Sequence, residues 1–400
     1  MNRVAIVSAK RSPIGSFGGS LKNVSAAALG SAVVQDALNN INLDPSLVDE
    51  VIFGNVLQAG LGQNIARQIA VNAGIPKEKS AFVVNKVCGS GLKSVVLGVQ
   101  SIMVGDNDIV VCGGVENMSA APHYTKNARF GQKLGSFELE DTIINDGLTD
   151  AFENYHMGIT AENIAARFNI TREQQDEFAP ASQQKAIAAI DAGKFKDEIV
   201  PIVIKGKKGD TVFDTDEFPN RSTSLEKLAN LRPAFKKDGT VTAGNASGIN
   251  DGASFVLVAS EEAVKKYNLK PIAEIIGIGQ GGVDPLVMGL GPVPAIRNAL
   301  KNASIKLSDV ELVELNEAFA AQSLGVIHEL IAEHGVDRDA LMKITNVNGG
   351  AIAIGHPVGA SGNRILVTLL HEMRKSGKKI GLASLCIGGG QGTAVIVKMV

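Results

Sequence analysis

The 400-residue chain contains no tryptophan, and aromatic residues make up only 4% of it. Recognition of a ligand by stacking on aromatic rings is therefore not favoured. Charge of either sign is not in excess, because 39 Lys and Arg residues stand against 41 Asp and Glu residues. A protein without a positive field lacks the electrostatic footprint of nucleic-acid binding. We therefore expect no nucleic-acid partner.

Cysteine is also scarce. The three cysteines are too few for a disulfide framework, and neither a C-x-x-C nor an H-E-x-x-H spacing occurs. No metal site is expected. The N-terminal segment MNRVAIVSAKRSP lacks the apolar run of a signal peptide, and no stretch of about 18 strongly apolar residues is evident. We expect a cytoplasmic protein without a membrane partner.

Hydrophobic residues make up 45% of the chain, which is enough for a large core, and the length predicts two or three domains. Short strands are predicted at residues 3–8 and 51–57. Between them, AAALGSAVVQDALNN has apolar residues at helical spacing and Ser25 as its N-cap. Alternating strands and helices predict a layered α/β fold.

Two segments of the chain resemble each other. Residues 82–116 and 345–397 each have the pattern of a strand, a Gly-rich turn, a Ser-Gly pair, an amphipathic helix, an apolar strand and a Gly cluster. Ser90-Gly91 in the first segment corresponds to Ser361-Gly362 in the second. We interpret this as the duplication of one α/β unit.

The region between the two repeats is richer in charged and turn residues, which is typical of an insertion. We predict a first half at 1–118 plus 251–270, an inserted domain at 119–250 and a second half at 271–400. Inside the insertion, a helix is expected to start at Thr171 and to stop at Gly193. Pro180 should limit or kink that helix, because proline removes a hydrogen-bond donor.

Cys88 lies in NKVCGSGLKSV, where an apolar strand ends and a helix begins. A thiol at that point meets the positive end of the helix dipole, so we expect a lowered pKa and a nucleophilic thiolate. A buried structural cysteine is the alternative. Cys112, flanked by apolar residues in VVCGGVEN, is expected in the core.

Three polar residues of the second half also occupy turn-rich contexts. Cys386 precedes three glycines in SLCIGGGQG, whose N–H groups suit an oxyanion, although a tight turn beside a buried cysteine has the same pattern. His356 in AIAIGHPVGASG suits a base near neutral pH. Asn316 in VELNEAFA suits either orienting a water or carbonyl oxygen, or capping a helix. The Gly-rich run 277–284 lacks the context of a dinucleotide site.

The motifs NKVCGSGLK, NEAFA, NVNGGAIAIGHPVGASG and CIGGGQG resemble the thiolase family, in the family's order and across the whole chain. This resemblance implies a duplicated five-layered α-β-α-β-α sandwich with an inserted loop domain that binds CoA and makes oligomer contacts in a homotetramer. It also implies acyl transfer between CoA thioesters without a cofactor. The short-chain, biosynthetic type fits best, which condenses two acetyl-CoA molecules to acetoacetyl-CoA and CoA.

The resemblance also implies roles for individual residues. Cys88 would carry the acetyl group, His356 would accept its proton, and Cys386 would take the α-proton of the second acetyl-CoA. Asn316, through a water, and His356 would hold the enolate oxygen, and the N–H groups of Cys88 and Gly388 the tetrahedral oxyanion. The implied substrate-binding residues are Leu148, His156, Met157, Arg221, Phe235, Ala243, Ser247, Met288 and Phe319.

Alternatives stay open at this point. Ketoacyl synthases and hydroxymethylglutaryl-CoA synthases share the fold and a Cys–His–Asn site, but they lack a second cysteine at the position of Cys386. A degradative 3-ketoacyl-CoA thiolase of broader chain length shares all four motifs, and Met288 and His156-Met157 count against it. A non-catalytic acyl-CoA or lipid carrier would not need the Cys/His/Cys set. A disulfide between Cys88 and Cys386 under oxidation is a further hypothesis.

Overall fold

The structure is a computed structural model that describes residues 3–400. The strands in this range are β1 (Val4–Arg11), β2 (Gly15–Ser16), β3 (Glu50–Gly54), β4 (Ser80–Val84), β5 (Ile109–Asn117), β6 (His123–Tyr124), β7 (Glu140–Asp141), β8 (Ile202–Ile204), β9 (Thr211–Phe213), β10 (Asn250–Ser260), β11 (Ala273–Gly282), β12 (Leu312–Leu315), β13 (Ile380–Ile387) and β14 (Gln391–Met399). The α-helices are α1 (Ala26–Asn40), α2 (Ile65–Asn72), α3 (Ser90–Val104), α4 (Met157–Phe168), α5 (Arg172–Asp191), α6 (Leu225–Ala229), α7 (Glu261–Lys266), α8 (Pro292–Ala303), α9 (Ala320–His334), α10 (Arg338–Ile344), α11 (Ala351–Ile354) and α12 (Val358–Ser376).

The large sheet has the strand order β12-β13-β14-β11-β1-β10-β5-β3-β4, and it consists of two similar halves. In the first half β3 pairs in parallel with β5, which pairs antiparallel with β10. In the second half β12 pairs in parallel with β13, which pairs antiparallel with β14. The halves join where β1 pairs antiparallel with β11. The predicted duplicated α/β sandwich is therefore confirmed.

Two helices of the interior layer cross where the repeated Ser-Gly pairs lie. A Cβ on Gly91 of α3 would lie 2.9 Å from the backbone nitrogen of Asn363, and a Cβ on Gly362 of α12 would lie 2.7 Å from that of Leu92. Only glycine allows so close an approach of two backbones. The crossing brings together the N-termini of the helices that follow Cys88 and His356.

Helix α3 forms most of a long apolar window in the sequence. The window Val87–Val104 has a mean hydropathy of 1.5 and is long and apolar enough to span a membrane by length and composition, so the sequence-based statement that no such stretch occurs is too broad. However, 56% of that window is buried inside the protein, as in the core helix of a folded domain. Cys112 packs against this helix and is buried, as predicted.

Several predicted boundaries are confirmed and two are wrong. The hydroxyl of Ser25 caps α1, and Thr171 starts α5 with a capping box. Strand β3 ends at Gly54 rather than at residue 57, because the next residues turn to bond a buried carboxylate described below. Pro180 neither ends nor limits α5, which continues to Asp191 because residues beyond the proline are anchored, for example Ser182 to Glu317 at 2.6 Å.

Candidate active site

Cys88 lies two residues before α3, after a residue in an unusual conformation. Val87 has φ +45°, a left-handed value that is unfavourable for a β-branched side chain and that marks a constrained turn. Burial raises the pKa of the Cys88 thiol to about 11, although the backbone N–H groups of Gly388 and of Cys88 itself lower it. The expectation of a lowered pKa is therefore wrong in its net direction, because desolvation outweighs the N–H groups. Cys88 is therefore a protonated thiol at neutral pH, and it needs a base to become a thiolate.

The imidazole of His356 is buried in the turn before α12. Its Nδ1 lies 2.6 Å from Ser361 Oγ, and that hydroxyl donates to the carbonyl of Pro357 at 2.8 Å. Because a hydroxyl has one proton, Ser361 accepts from Nδ1–H, and Nε2 keeps its lone pair. Nε2 lies 3.5 Å from Nδ2 of Asn316, which is a donor. Burial first, and the charge of Arg364 second, lower the pKa of His356 to about 4, so the ring is neutral.

Asn316 continues β12 by one residue, at the carboxyl end of the second sheet. Its N–H donates to the carbonyl of Ser384 at 3.0 Å, which places it beside the strand that carries Cys386. Its side chain is buried, and within residues 3–400 its Oδ1 has no hydrogen-bond partner. Such an oxygen fits an acceptor for water or substrate, since leaving it unpaired costs about 1–3 kcal/mol. The helix-cap alternative is wrong, because Phe319 is the N-cap of α9.

Cys386 is buried near the end of β13, opposite Gly392 of β14. Burial raises the pKa of its thiol, and the Cys88 thiol raises it further. Gly89, which follows Cys88, packs against the side chain of Ile387, which follows Cys386, and only a residue without a Cβ fits there. The structure thus brings a thiol from each half of the molecule together.

Apolar residues that the resemblance assigns to substrate binding pack in the same clusters as the two thiols. Leu148 packs in one cluster with Cys88. Met157, Met288 and Phe319 are buried in another cluster together with Cys386. A Cβ on Gly388 would lie 3.6 Å from the sulfur of Met157, so the glycine borders the same region.

Three rings in contact, those of Phe319, Phe235 and His156, form an aromatic ladder that starts in this region. The ring of His156 stacks on Phe235 with centroids 4.5 Å apart, and Phe235 meets Phe319 edge to face at 6.1 Å. His156 is also the N-cap of α4, because its Nδ1 accepts from the N–H of Gly158 at 3.0 Å. A Cβ on Gly158 would lie 2.2 Å from the Phe235 ring, so glycine is required there. The ladder offers a flat apolar wall for an extended chain.

The remaining assigned residues lie closer to the surface. Ser247 is bound through its N–H to the carbonyl of Ala318 at 2.9 Å, next to Phe319, while Ala243 is exposed. Arg221 is exposed, and its guanidinium forms two hydrogen bonds to the Asp191 carboxylate. Its charge is therefore already engaged in the free protein. Residues 232–238, which carry four charged side chains of both signs, line an open cleft of about 410 Å³ beside Phe235.

Sequence reasoning missed three residues that hold the site together. Ser361 fixes the proton on His356, and Asn250 accepts the N–H of His356 at 2.8 Å. The buried carboxylate of Glu116 accepts the N–H groups of Val56, Leu57 and Gly359 and the side-chain amide of Asn55 at 2.9–3.0 Å. It ties the turn that carries His356 to the first half. The available signal was a single charged residue, Glu116, inside the otherwise uncharged run VVCGGVEN.

Two family models match almost the whole chain. Residues 4–262 match the model described as "Thiolase, N-terminal domain", and residues 269–399 match "Thiolase, C-terminal domain". A curated relative from Syntrophomonas wolfei subsp. wolfei, named acetyl-CoA acetyltransferase, is 57% identical over 397 residues, which cover 99% of this chain and 98% of the relative.

Solved structures agree on the fold but differ in their names. The crystal structure of the Bacillus anthracis acetyl-CoA acetyltransferase is 44% identical with a TM-score of 0.95, and the match covers 100% of this chain and 99% of that one. The crystal structure of human mitochondrial 3-ketoacyl-CoA thiolase in complex with CoA is 48% identical with a TM-score of 0.94, covering 100% and 98%.

Proposed function

The chain belongs to the thiolase family and is an acyltransferase, and on that premise we propose that it is an acetyl-CoA C-acetyltransferase. It condenses two acetyl-CoA molecules to acetoacetyl-CoA and CoA through an acetyl group on Cys88, and it catalyses the reverse thiolysis. The observation that carries the proposal is that the chain next to Cys88 packs directly against the chain next to Cys386, through Gly89 and Ile387, although the two thiols belong to opposite halves of the molecule. Such a pair supplies one acyl carrier and one base.

In the acylation step, Nε2 of His356 takes the Cys88 proton as the sulfur attacks the thioester carbonyl. The tetrahedral oxyanion accepts from the N–H groups of Gly388 and Cys88, the two groups that lower the pKa of the Cys88 thiol. Loss of one such donor typically costs about 2.7–4 kcal/mol of barrier. The carbon–sulfur bond to CoA then breaks, and the leaving thiolate takes the proton of Cys386. The step ends with acetyl-Cys88, a Cys386 thiolate and a protonated His356.

In the condensation step, the Cys386 thiolate removes an α-proton of the second acetyl-CoA. Burial raises the pKa of Cys386, which makes its thiolate a strong base for a weakly acidic C–H. His356 Nε2–H and a water held by Asn316 stabilise the enolate oxygen. The enolate carbon attacks acetyl-Cys88, the Cys88 sulfur leaves and recovers its proton from His356, and every group returns to its starting state.

The substrate is bound along the route from the surface to the thiols. The stacked rings of His156 and Phe235 form a wall for the pantetheine arm, and Ser247 is bound to the carbonyl of Ala318, next to Phe319. Residues 219–237 carry five Lys and Arg against one Glu, a local excess of 5 − 1 = +4 that suits the phosphates of CoA. When CoA binds, the guanidinium of Arg221 leaves the Asp191 carboxylate and binds a phosphate of CoA.

A broader-chain 3-ketoacyl-CoA thiolase is the second candidate, because one solved relative at 48% identity has that name. The buried side chains of Met157, Met288 and Phe319 favour a short acyl group. Each additional methylene in a filled pocket is worth about 10-fold or more in kcat/KM. Thiolysis rates for acetoacetyl-CoA and for longer 3-ketoacyl-CoA substrates therefore separate the two. A higher kcat/KM for the longer substrates would favour the second candidate.

The mechanism is tested with thiol variants. Cys88→Ala should abolish isotope exchange between free CoA and acetyl-CoA, whereas Cys386→Ala should keep some exchange and lose condensation. Cys112→Ala is the matched control, because it removes a buried thiol of the core and should keep both reactions. If Cys386→Ala condensed acetyl-CoA at the normal rate, Cys386 would not be the base. Loss of exchange in the Cys112 variant would show that the losses reflect packing.

A further inference from the structure

A buried ion pair lies behind the imidazole of His356 and takes no part in the steps above. Nη1 of Arg364 lies 3.7 Å from Oε2 of Glu314, and each side chain is only 1% exposed. Among residues 3–400, neither the three guanidinium nitrogens nor the two carboxylate oxygens have a hydrogen-bond partner. A buried guanidinium and a buried carboxyl without hydrogen bonds are costly for stability, so packing alone does not account for the pair.

The positions of these two residues follow from the contacts of the imidazole. Ser361 touches Nδ1 of His356, and Arg364 lies three residues further along α12, on the same face one turn away. Asn316 touches Nε2, and Glu314 lies two residues earlier along the β12 direction, on the same face of the strand. Both elements that hold the imidazole therefore place a charged residue immediately behind the contact.

We propose that Arg364 is a positioning residue for His356, whose fixed positive charge keeps the imidazole neutral at rest and favours return of its proton, while Glu314 holds the guanidinium in place. Its kinetic consequence rests on the proposed function. Burial lowers the pKa of the His356 ring most, and the positive charge of Arg364 lowers it further.

Other charges surround the pair and stay constant in the test. Those that act on the pair itself are Arg11, Glu198, Asp216, Glu317 and Glu372. Those that surround the reaction centre on neighbouring elements are Cys88 before α3, Cys386 on β13, Glu116 on β5 and Asp251 on β10. A comparison of two variants that differ only at position 364 isolates the guanidinium.

The test compares Glu314→Gln with the double variant Glu314→Gln/Arg364→Met. The measurement is the acid limb of the pH profile of kcat/KM for acetoacetyl-CoA thiolysis, which reports loss of the His356 base. Without the guanidinium the imidazolium forms more easily, so the base is lost at a higher pH. We expect the double variant to lose kcat/KM on the acid side at a pH about one unit or more higher than Glu314→Gln does.

A second readout needs no turnover. The rate of Cys88 alkylation by iodoacetamide, followed by peptide mass spectrometry against pH, depends on the same base and should show the same displacement. If the wild-type protein failed to exchange CoA with acetyl-CoA, the proposed function would fail while this comparison still decided the role of Arg364. If the double variant does not fold, Arg364→Gln replaces it. Burial raises the pKa of Glu314 to about 8 although Arg364 lowers it, so the carboxyl of Arg364→Gln stays protonated and neutral.

Thr368→Val is the matched control. Thr368 lies one turn beyond Arg364 on the same helix, and its hydroxyl donates to Glu198 at 3.1 Å, so the change removes a buried hydrogen bond without changing charge. This variant should keep the limb of the wild-type protein. Coincident limbs in the single and double variants, or an equal displacement in Thr368→Val, would overturn the proposal and assign Arg364 to packing alone.

Discussion

At the scale of single residues, the reaction depends on which nitrogen of His356 carries the proton. Ser361 decides this, because its own proton is committed to the Pro357 carbonyl and its oxygen therefore accepts from Nδ1–H. The lone pair then lies on Nε2, on the side of Asn316. A hydroxyl that never touches substrate thus determines whether the ring is able to take the Cys88 proton.

Replacement of this hydroxyl should affect catalysis more than stability. In Ser361→Ala the imidazole has no fixed acceptor for Nδ1–H, so the reactive tautomer is less populated and kcat/KM for thiolysis should fall about 10-fold or more. The free energy of unfolding should fall by about 1 kcal/mol, the net value of one hydrogen bond. Both are measured on one preparation, by steady-state kinetics and by urea unfolding.

The control for Ser361→Ala is Ser94→Ala in α3, whose buried hydroxyl donates to the carbonyl of Gly91 at 2.8 Å. It should lose similar stability and keep its activity. Equal losses of activity in the two variants would mean that Ser361 has no special effect on the ring.

At the level of single residues, the sequence points to a reactive residue type, but it does not show how deeply that residue is buried. Helix-terminus reasoning singles out Cys88 from its neighbours in the chain, but it predicts the wrong direction for the pKa. Burial of the thiol depends on residues of the other half, such as Ile387, which packs against Gly89. Contacts across so many intervening residues leave no trace in the local pattern.

At the scale of elements, the crossing of α3 and α12 determines where the reactive groups meet. The two helices approach at Gly91 and Gly362, and each begins immediately after a residue assigned to catalysis. The Ser-Gly repeat in the sequence therefore marks the crossing point of the duplicated helices. A side chain larger than hydrogen at either glycine separates the two N-termini.

Gly362→Ala tests this element. Its Cβ would lie 2.7 Å from the backbone nitrogen of Leu92, so the helices must move apart. Overpacking of this kind costs about 1–3 kcal/mol in unfolding free energy, and a displacement near 1 Å lowers kcat about 100-fold. Gly282→Ala at the end of β11 is the control, because its Cβ meets only Gly390 O at 3.6 Å. If kcat were unchanged in Gly362→Ala, the distance between α3 and α12 at their crossing would have no effect on catalysis.

Elements with local signals were predictable, and those with distant partners were not. The Ser25 cap of α1 and the Thr171 capping box of α5 are encoded within a few residues. The end of β3 is set by Glu116, which lies on another strand and draws in the N–H groups of Val56 and Leu57. Pro180 is accommodated because tertiary contacts hold the rest of α5, and these override local propensity.

At the scale of the whole molecule, duplication explains why one site needs both halves. The first half contributes Cys88 and the second contributes His356, Cys386 and Asn316, and β1 and β11 join the two sheets. The motifs predict a catalytic role for these four residues, and the thiol variants described above test the two cysteines among them. The Glu314–Arg364 pair was not predictable, because the two side chains meet only when β12 packs against α12.

The inserted region carries an unpartnered apolar surface, and we propose that it mediates assembly into a homotetramer. The two-stranded hairpin β6–β7 encloses Phe130, Leu134, Phe137 and Leu139, whose exposed fractions range from 58% to 92%. A two-stranded hairpin is marginal by itself, and a cluster of exposed apolar side chains is typical of a binding surface. A second copy of the chain is the occupant that this proposal requires.

The variant Phe130→Ser/Leu134→Ser/Phe137→Ser should therefore lower the assembly state without unfolding the chain, because these side chains make no contribution to the core of their own subunit. Light scattering coupled to size-exclusion chromatography measures the mass, and circular dichroism checks the fold. Val203→Thr/Val212→Thr is the control, since these residues are 52% and 58% exposed on the hairpin β8–β9. It should keep the wild-type mass. If the triple variant also kept that mass, assembly would have to depend on another surface, and the exposed hairpin would need a different partner.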